Sequence, residues 1–171
     1  MWKVASSLIV TLALLETASA SNVTGTSERR TLDSVLVLAG LDRADLPMTL
    51  TSVLPEGASP GIEGWTTYGD DGTGARIFVY TGSDMFRCAS WPLSMHQCLV
   101  RLASVLVHEA WHFRHSRNEA DAYEAQIGFL SRNRASTDHI QAVRIAAGRV
   151  VAAQQRAVEE ARKRYAEGGG P

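Results

Sequence analysis

The stretch Ser104-Val-Leu-Val-His108-Glu109-Ala-Trp-His112 decides the reading of this chain. It ends a run from Cys98 in which Leu99, Leu102, Ala103, Leu106, Ala110 and Phe113 recur at helical spacing. Beside that apolar stripe lies a second one: Arg101, Val105, His108, His112 and His115. Residues four apart stand one above the other on a helix, so His108 and His112 can offer two imidazoles to one metal ion. Glu109 is offset by one position and reaches a water beside that ion. Two neutral imidazole ligands and an adjacent carboxylate base are what zinc-dependent hydrolysis requires. With 5 histidines in 171 residues, such an H-E-x-x-H arises by chance in about one chain in a hundred.

A catalytic Zn²⁺ needs a third protein ligand and an open position for water. Ser116-Arg-Asn118 breaks the helical pattern, and a second helix is predicted from about Glu119 to Arg132. The nearby candidates are Glu119, Asp121, Glu124 and His115. At about 100° per residue from Glu119, Leu130 falls near 20°, Tyr123 near 40° and Gln126 near 340°. The face that must pack on the preceding helix is therefore centred on Glu119. Asp121, at about 200°, points away, and Glu124, at about 140°, is marginal. His115 lies seven residues beyond His108, roughly 10 Å along the axis and too far to share the ion. Glu119 has a competing use, since Ser116-Arg-Asn-Glu119 also reads as a capping box. The expected ligands are His108, His112 and Glu119 around Zn²⁺, with Glu109 as general base. Tyr123 and His115 are nearby groups for oxyanion stabilisation, without a sequence signal that singles out either.

Upstream, Thr31 is expected to cap a short helix through Asp33 to Ala39, ended by Gly40, although its Val and Leu content also suits a strand. Thr49 to Leu54 reads as a strand, and Pro55 to Gly64 as a loop. Trp65–Tyr68 and Ala75–Thr81 flank the turn Gly69-Asp-Asp-Gly-Thr-Gly74 and predict a hairpin, with Ile77 and Val79 on one face and Arg76, Phe78 and Tyr80 on the other. No Lys-Ser/Thr follows the turn, so it is not a phosphate loop. A third helix is expected from Thr137 or Asp138, with the stripe Ile140, Val143, Ala147, Val150, Gln154, Val158, Ala161 and Tyr165. Gly168-Gly-Gly-Pro171 reads as a frayed tail.

The N-terminus has the pattern of a secretory signal: Lys3, an apolar run from Val4 to Leu15, and the small-residue site Ala18-Ser19-Ala20. An uncleaved anchor is the alternative. Export to an oxidising compartment would allow Cys88 and Cys98 to pair. The other use of that segment, Cys88-His96-Cys98 as a second metal site, lacks a fourth ligand. Asn22-Val-Thr24 is a glycosylation sequon that matters only in a eukaryote. The formal net charge of −1 and the apolar fraction of 45% argue against disorder and against a nucleic-acid binder, and no segment after the leader is suited to stable membrane insertion.

These residues resemble the zincin metallopeptidases, and among them the small gluzincin-like ones. The resemblance rests on His108, Glu109 and His112, followed by Glu119-Ala-Asp-Ala-Tyr123 where such enzymes carry a glutamate ligand, and it spans about Ala75 to Leu130. It implies a zincin-like core and a peptide or protein substrate. It also implies that the strand before the active-site helix, Ala75 to Thr81, accepts extended peptide through its backbone; a simple paired strand is the alternative. Only six residues, Phe113 to Asn118, separate His112 from Glu119, fewer than in larger gluzincins. The metzincin pattern fits worse, because His115 stands where Gly is needed and Asn118 where a third histidine would be.

The expectation is thus an α+β protein: a signal peptide over 1–20, a flexible segment over 21–30, one zincin-like domain over 31–166 with a hairpin or small sheet and three main helices, and a disordered tail over 167–171. Its expected activity is that of a secreted or periplasmic zinc-dependent peptidase. The alternatives are a zinc amidase acting on non-protein amides and a catalytically silent zinc-binding module.

Overall fold

The hydrophobic pattern around His108 forms one long helix at the centre of a mixed α+β fold. The computed structural model describes residues 25–58, 61–91, 96–115 and 117–166. The expected leader, the sequon, Pro92, Ser116 and the expected tail lie outside them. In chain order the elements are α1 (Thr26–Ala39), β1 (Met48–Thr51), β2 (Gly64–Tyr68), β3 (Gly74–Tyr80), α2 (Asp84–Ser90), α3 (His96–Arg114), α4 (Glu119–Arg132) and α5 (Thr137–Ala166).

Helix α1 starts at Thr26, five residues ahead of the expected Thr31, so Thr26–Arg30 is helical and not part of a loose tether. The start is set by Gly25, whose N–H donates to Glu28 Oε2 at 3.3 Å. Its end follows the sequence signal. Gly40 takes the left-handed conformation (φ 66°), and the Leu41 and Gly40 amides close back onto the Leu36 and Val37 carbonyls at 3.0 and 3.2 Å. Leu32, Val35 and Leu36 turn inward to α3.

The expected hairpin forms: β2 and β3 are antiparallel, with Trp65 opposite Phe78 and Thr66 opposite Ile77. The turn is closed by Asp71, which accepts from the Thr73 amide and hydroxyl at 2.9 and 2.7 Å. β1 then adds in parallel on the other side of β3, giving the order β1-β3-β2. This corrects the expectation that Ala75 to Thr81 accepts peptide. That strand is central, and its backbone is paired on both sides. The alternation of β3 stands as read. Ile77 and Val79 are fully buried towards the core, while Phe78 stacks on Trp65 across the outer face, with ring centroids 5.1 Å apart.

Helix α3 carries the core. Leu102, Ala103 and Leu106 are fully buried and Ala110 nearly so. A leucine buried to that degree stabilises the fold by about 1.5–3 kcal/mol. The sheet comes close to α3 at Gly74, where an added Cβ would lie 2.5 Å from the Phe113 Cα. Helix α2 was not foreseen. Ser83 caps it, accepting from the Phe86 amide at 3.0 Å, and Phe86 enters the core. A Cys88–Cys98 disulfide ties α2 to the first turn of α3, which removes both sulfurs from any second metal site.

Helices α4 and α5 complete the layer behind α3. Gln126 of α4 donates to the Ser104 hydroxyl at 3.2 Å, a buried polar link between α3 and α4. In α5 the expected stripe is covered only at its start: Val143 is buried, whereas Val158 and Tyr165 are 47% and 78% exposed. Among the described residues no helix is long and apolar enough to cross a membrane.

Candidate metal centre

The inner stripe of α3 and the first residue of α4 bring three donor groups together. His108 Nε2 and His112 Nε2 lie 3.1 Å apart. Glu119 Oε2 is 3.4 Å from His108 Nε2, and Glu119 Oε1 is 3.6 Å from His112 Nε2. An ion held tetrahedrally with bonds of 2.0–2.1 Å would separate its ligand atoms by about 3.3 Å. The donor set and its spacing therefore fit a zinc-type ion. His108 and His112 are both buried, His108 at the edge of a cavity.

Glu119 is where helical phase placed it. It occupies the first position of α4, whose N-cap is Asn118. The Asn118 side-chain oxygen accepts from the Ala120 amide at 3.0 Å. Asn118 thus does the capping that the Ser116 box assigned in part to Glu119, and the Glu119 carboxylate turns to the histidines. Asp121 is exposed and accepts from Asn118 Nδ2 at 2.7 Å, and Glu124 is exposed as well. His115 is exposed beside Trp111, with ring centroids 5.0 Å apart. Burial pushes the Glu119 carboxyl up, but hydrogen bonds and positive charge from His108 and His112 outweigh it and hold the group at about 2.

Glu109 lies beside the cluster and is as buried as His108. The Thr66 hydroxyl of β2 reaches it from the sheet, 2.8 Å from Oε2 and 3.1 Å from the Glu109 main-chain oxygen. Burial raises the Glu109 carboxyl above its ordinary range, against the pull of His108, the Thr66 bond and His112. A carboxylate poised in this way is a better proton acceptor near neutral pH than a solvated glutamate.

Two tyrosines border the cluster. Tyr123 of α4 packs edge-on against the His108 ring, with centroids 4.5 Å apart, and burial, Glu119 and Glu109 together raise its hydroxyl pKa. Tyr68 closes β2. Burial, then the charges of Glu109 and Glu119, push its hydroxyl up to about 12 in spite of Arg117, whose guanidinium carbon sits 4.3 Å from the ring centroid. Thr66, Tyr68 and Arg117 were all missed from sequence. Thr66 and Tyr68 alternate correctly for one face of a strand, but only the crossing of β2 over α3 gives that face a role. His108 Nδ1 is buried with no hydrogen-bond partner among the described residues, so the orienting acceptor expected of a ligand histidine is not supplied there.

A cavity of about 440 Å³ opens beside His108 and Glu109, between the start of β2, α3, α4 and α5. Compared with protein-family models, with curated proteins and with solved structures, the chain matches none of them.

Proposed function

We propose that this chain is a zinc-dependent peptidase with a zincin-like core, acting outside the cytoplasm. The observation that carries the reading is the convergence of His108, His112 and Glu119 with a buried, hydroxyl-supported Glu109. A silent module would have no use for the last of these. His108, His112 and Glu119 would hold the ion, which when bound supplies Lewis acidity and brings the pKa of a water near 7. Glu109 accepts the proton of the attacking water as its oxygen bonds to the scissile carbonyl carbon. As the C–N bond breaks, Glu109 returns that proton to the departing amine. Thr66 fixes the carboxylate in place. Tyr68 and Tyr123, both held protonated beside the cluster, are the candidate hydroxyl donors to the negative charge that develops. The Cys88–Cys98 bond and the leader-like N-terminus support extracytoplasmic residence.

The test is elemental analysis combined with hydrolysis of unstructured casein. Wild type should carry about one zinc per chain, His112→Ala should lose it, and Glu109→Gln should keep the zinc and lose the activity. Equal zinc in wild type and His112→Ala would overturn the metal site. Wild-type zinc without hydrolysis of any peptide or protein would leave a binding module.

A further inference from the structure

Strand β2 runs alongside α3 and marks out three levels of the site. Gly64 lies against Val105 and Glu109. Thr66 bonds Glu109. Tyr68 pairs with Gly74, which lies against Phe113. Four strand residues span about 13 Å, so the scissile bond, at the level of Thr66, has some 6–7 Å of site on either side.

The two ends differ in chemistry. At the Gly64 end is the cavity, walled by Ile62, Val105, Tyr123, Val143, Ala146 and Val150. The rest of the lining includes Glu63, His108, Glu109 and Gln126, so the apolar wall is the one formed by the residues just named, and the size of the cavity suits a large side chain. At the Tyr68 end is Arg117, two residues ahead of Glu119. The Arg117 guanidinium lies over the Tyr68 ring, and its carbonyl accepts from Gln154 Nε2 at 3.2 Å. Among the described residues no carboxylate stands within ion-pair distance of it. A guanidinium held over an aromatic ring, with no carboxylate partner, has N–H donors left for a bidentate carboxylate.

We propose that Arg117 receives the C-terminal carboxylate of the substrate and that the cavity receives an apolar side chain on the acyl side. The site would then release one or two residues from the C-terminus of a peptide, after a large apolar residue. This rests on the peptidase reading above, and it fixes the direction of the chain, with the leaving amine towards Tyr68.

The experiment uses the zinc-loaded protein and two probes, N-acylated Gly-Phe-Ala with a free C-terminus and the same peptide as its carboxamide. Wild type should favour the acid by about tenfold or more in kcat/KM, mainly through KM, as expected for a charge-assisted hydrogen bond. Arg117→Gln should bring the acid-to-amide ratio close to one, and Arg117→Lys should restore part of it. Ala146→Trp, at an exposed position in the cavity wall, should slow the Phe peptides more than their Gly-Gly-Ala counterparts. Equal cleavage of acid and amide by wild type, or a preference that survives Arg117→Gln, overturns the carboxylate assignment while leaving the peptidase reading intact. An Ala146→Trp variant that slows both peptide series equally removes the cavity assignment. Casein cleavage without cleavage of either probe overturns the inference alone, and no cleavage of any substrate overturns both readings.

Discussion

Replacing Thr66 by valine tests whether the sheet tunes the catalytic base. Valine keeps the shape of threonine and removes the one hydroxyl that reaches Glu109 Oε2, at 2.8 Å. A hydroxyl has a single hydrogen, and the shorter contact, to the carboxylate oxygen, is the charge-assisted one. Such a bond contributes about 1.5–3 kcal/mol. At 1.36 kcal/mol per pKa unit, its loss raises the Glu109 pKa by about 1–2 units. The sign follows from the part the bond plays now, since it lowers a carboxyl that burial has raised. Glu109 must be ionised to accept a proton, so activity rises with pH through its pKa. The acid limb of kcat/KM should therefore move up by about 1–2 pH units, with the high-pH plateau little changed. The assay is the pH profile of peptide hydrolysis for wild type, Thr66→Val and Thr66→Ser, alongside zinc content. Serine should restore the wild-type limb. A folded, zinc-loaded Thr66→Val with its acid limb in the wild-type position would refute the reasoning.

Three further outcomes are expected. Glu119→Ala should weaken zinc binding by about a hundredfold or more in competition with a chromophoric chelator, with Asp121→Ala close to wild type; the reverse order would remove Glu119 from the ligand set. Replacing both Cys88 and Cys98 by serine should cost about 2.7 kcal/mol of chain-entropy stabilisation for so short a loop, and lower Tm by about 5–10 °C; an unchanged Tm would mean that the α2–α3 link adds nothing. Burial and then Arg101 depress the His139 pKa below 6.5, so its neutral form stabilises the fold fully above about pH 6.5 and that contribution is lost as pH falls through the folded-state value. His139→Gln should therefore flatten the fall of Tm on acidification below about pH 6.5, and an identical fall in both proteins would contradict this.

What could be read from the sequence was periodic or local. The two stripes of α3, the alternation of Ile77 and Val79, the stop at Gly40 and the phase of Glu119 all depend on spacing along one element. The Cys88–Cys98 pair depends on a short separation. What escaped depends on partners distant in sequence. The parallel pairing of β1 with β3 has no local signature, so the sequence leaves open whether Ala75–Thr81 is a peptide-accepting edge or, as it is, a strand paired on both sides. Thr66 and Tyr68 gain their meaning from α3, some forty residues on. Two local signals were also passed over: Ser83 as the cap of α2, and Asn118, which does the capping that had been divided between Ser116 and Glu119. The start of α1 at Thr26 escaped because its cap is a glycine, which offers no side chain to recognise.

Helix α5 has one further consequence. Beyond Gln154, which is hydrogen-bonded to Arg117, every residue to Ala166 is exposed. This length of helix is held by its own backbone ladder and by little else, so it adds ellipticity without adding to cooperativity. Its amides should exchange with solvent by local fraying, well ahead of those around Leu106. Ending the chain shortly after Gln154 should reduce the helical signal while leaving the denaturant m-value, and with it the surface exposed in the global transition, nearly unchanged.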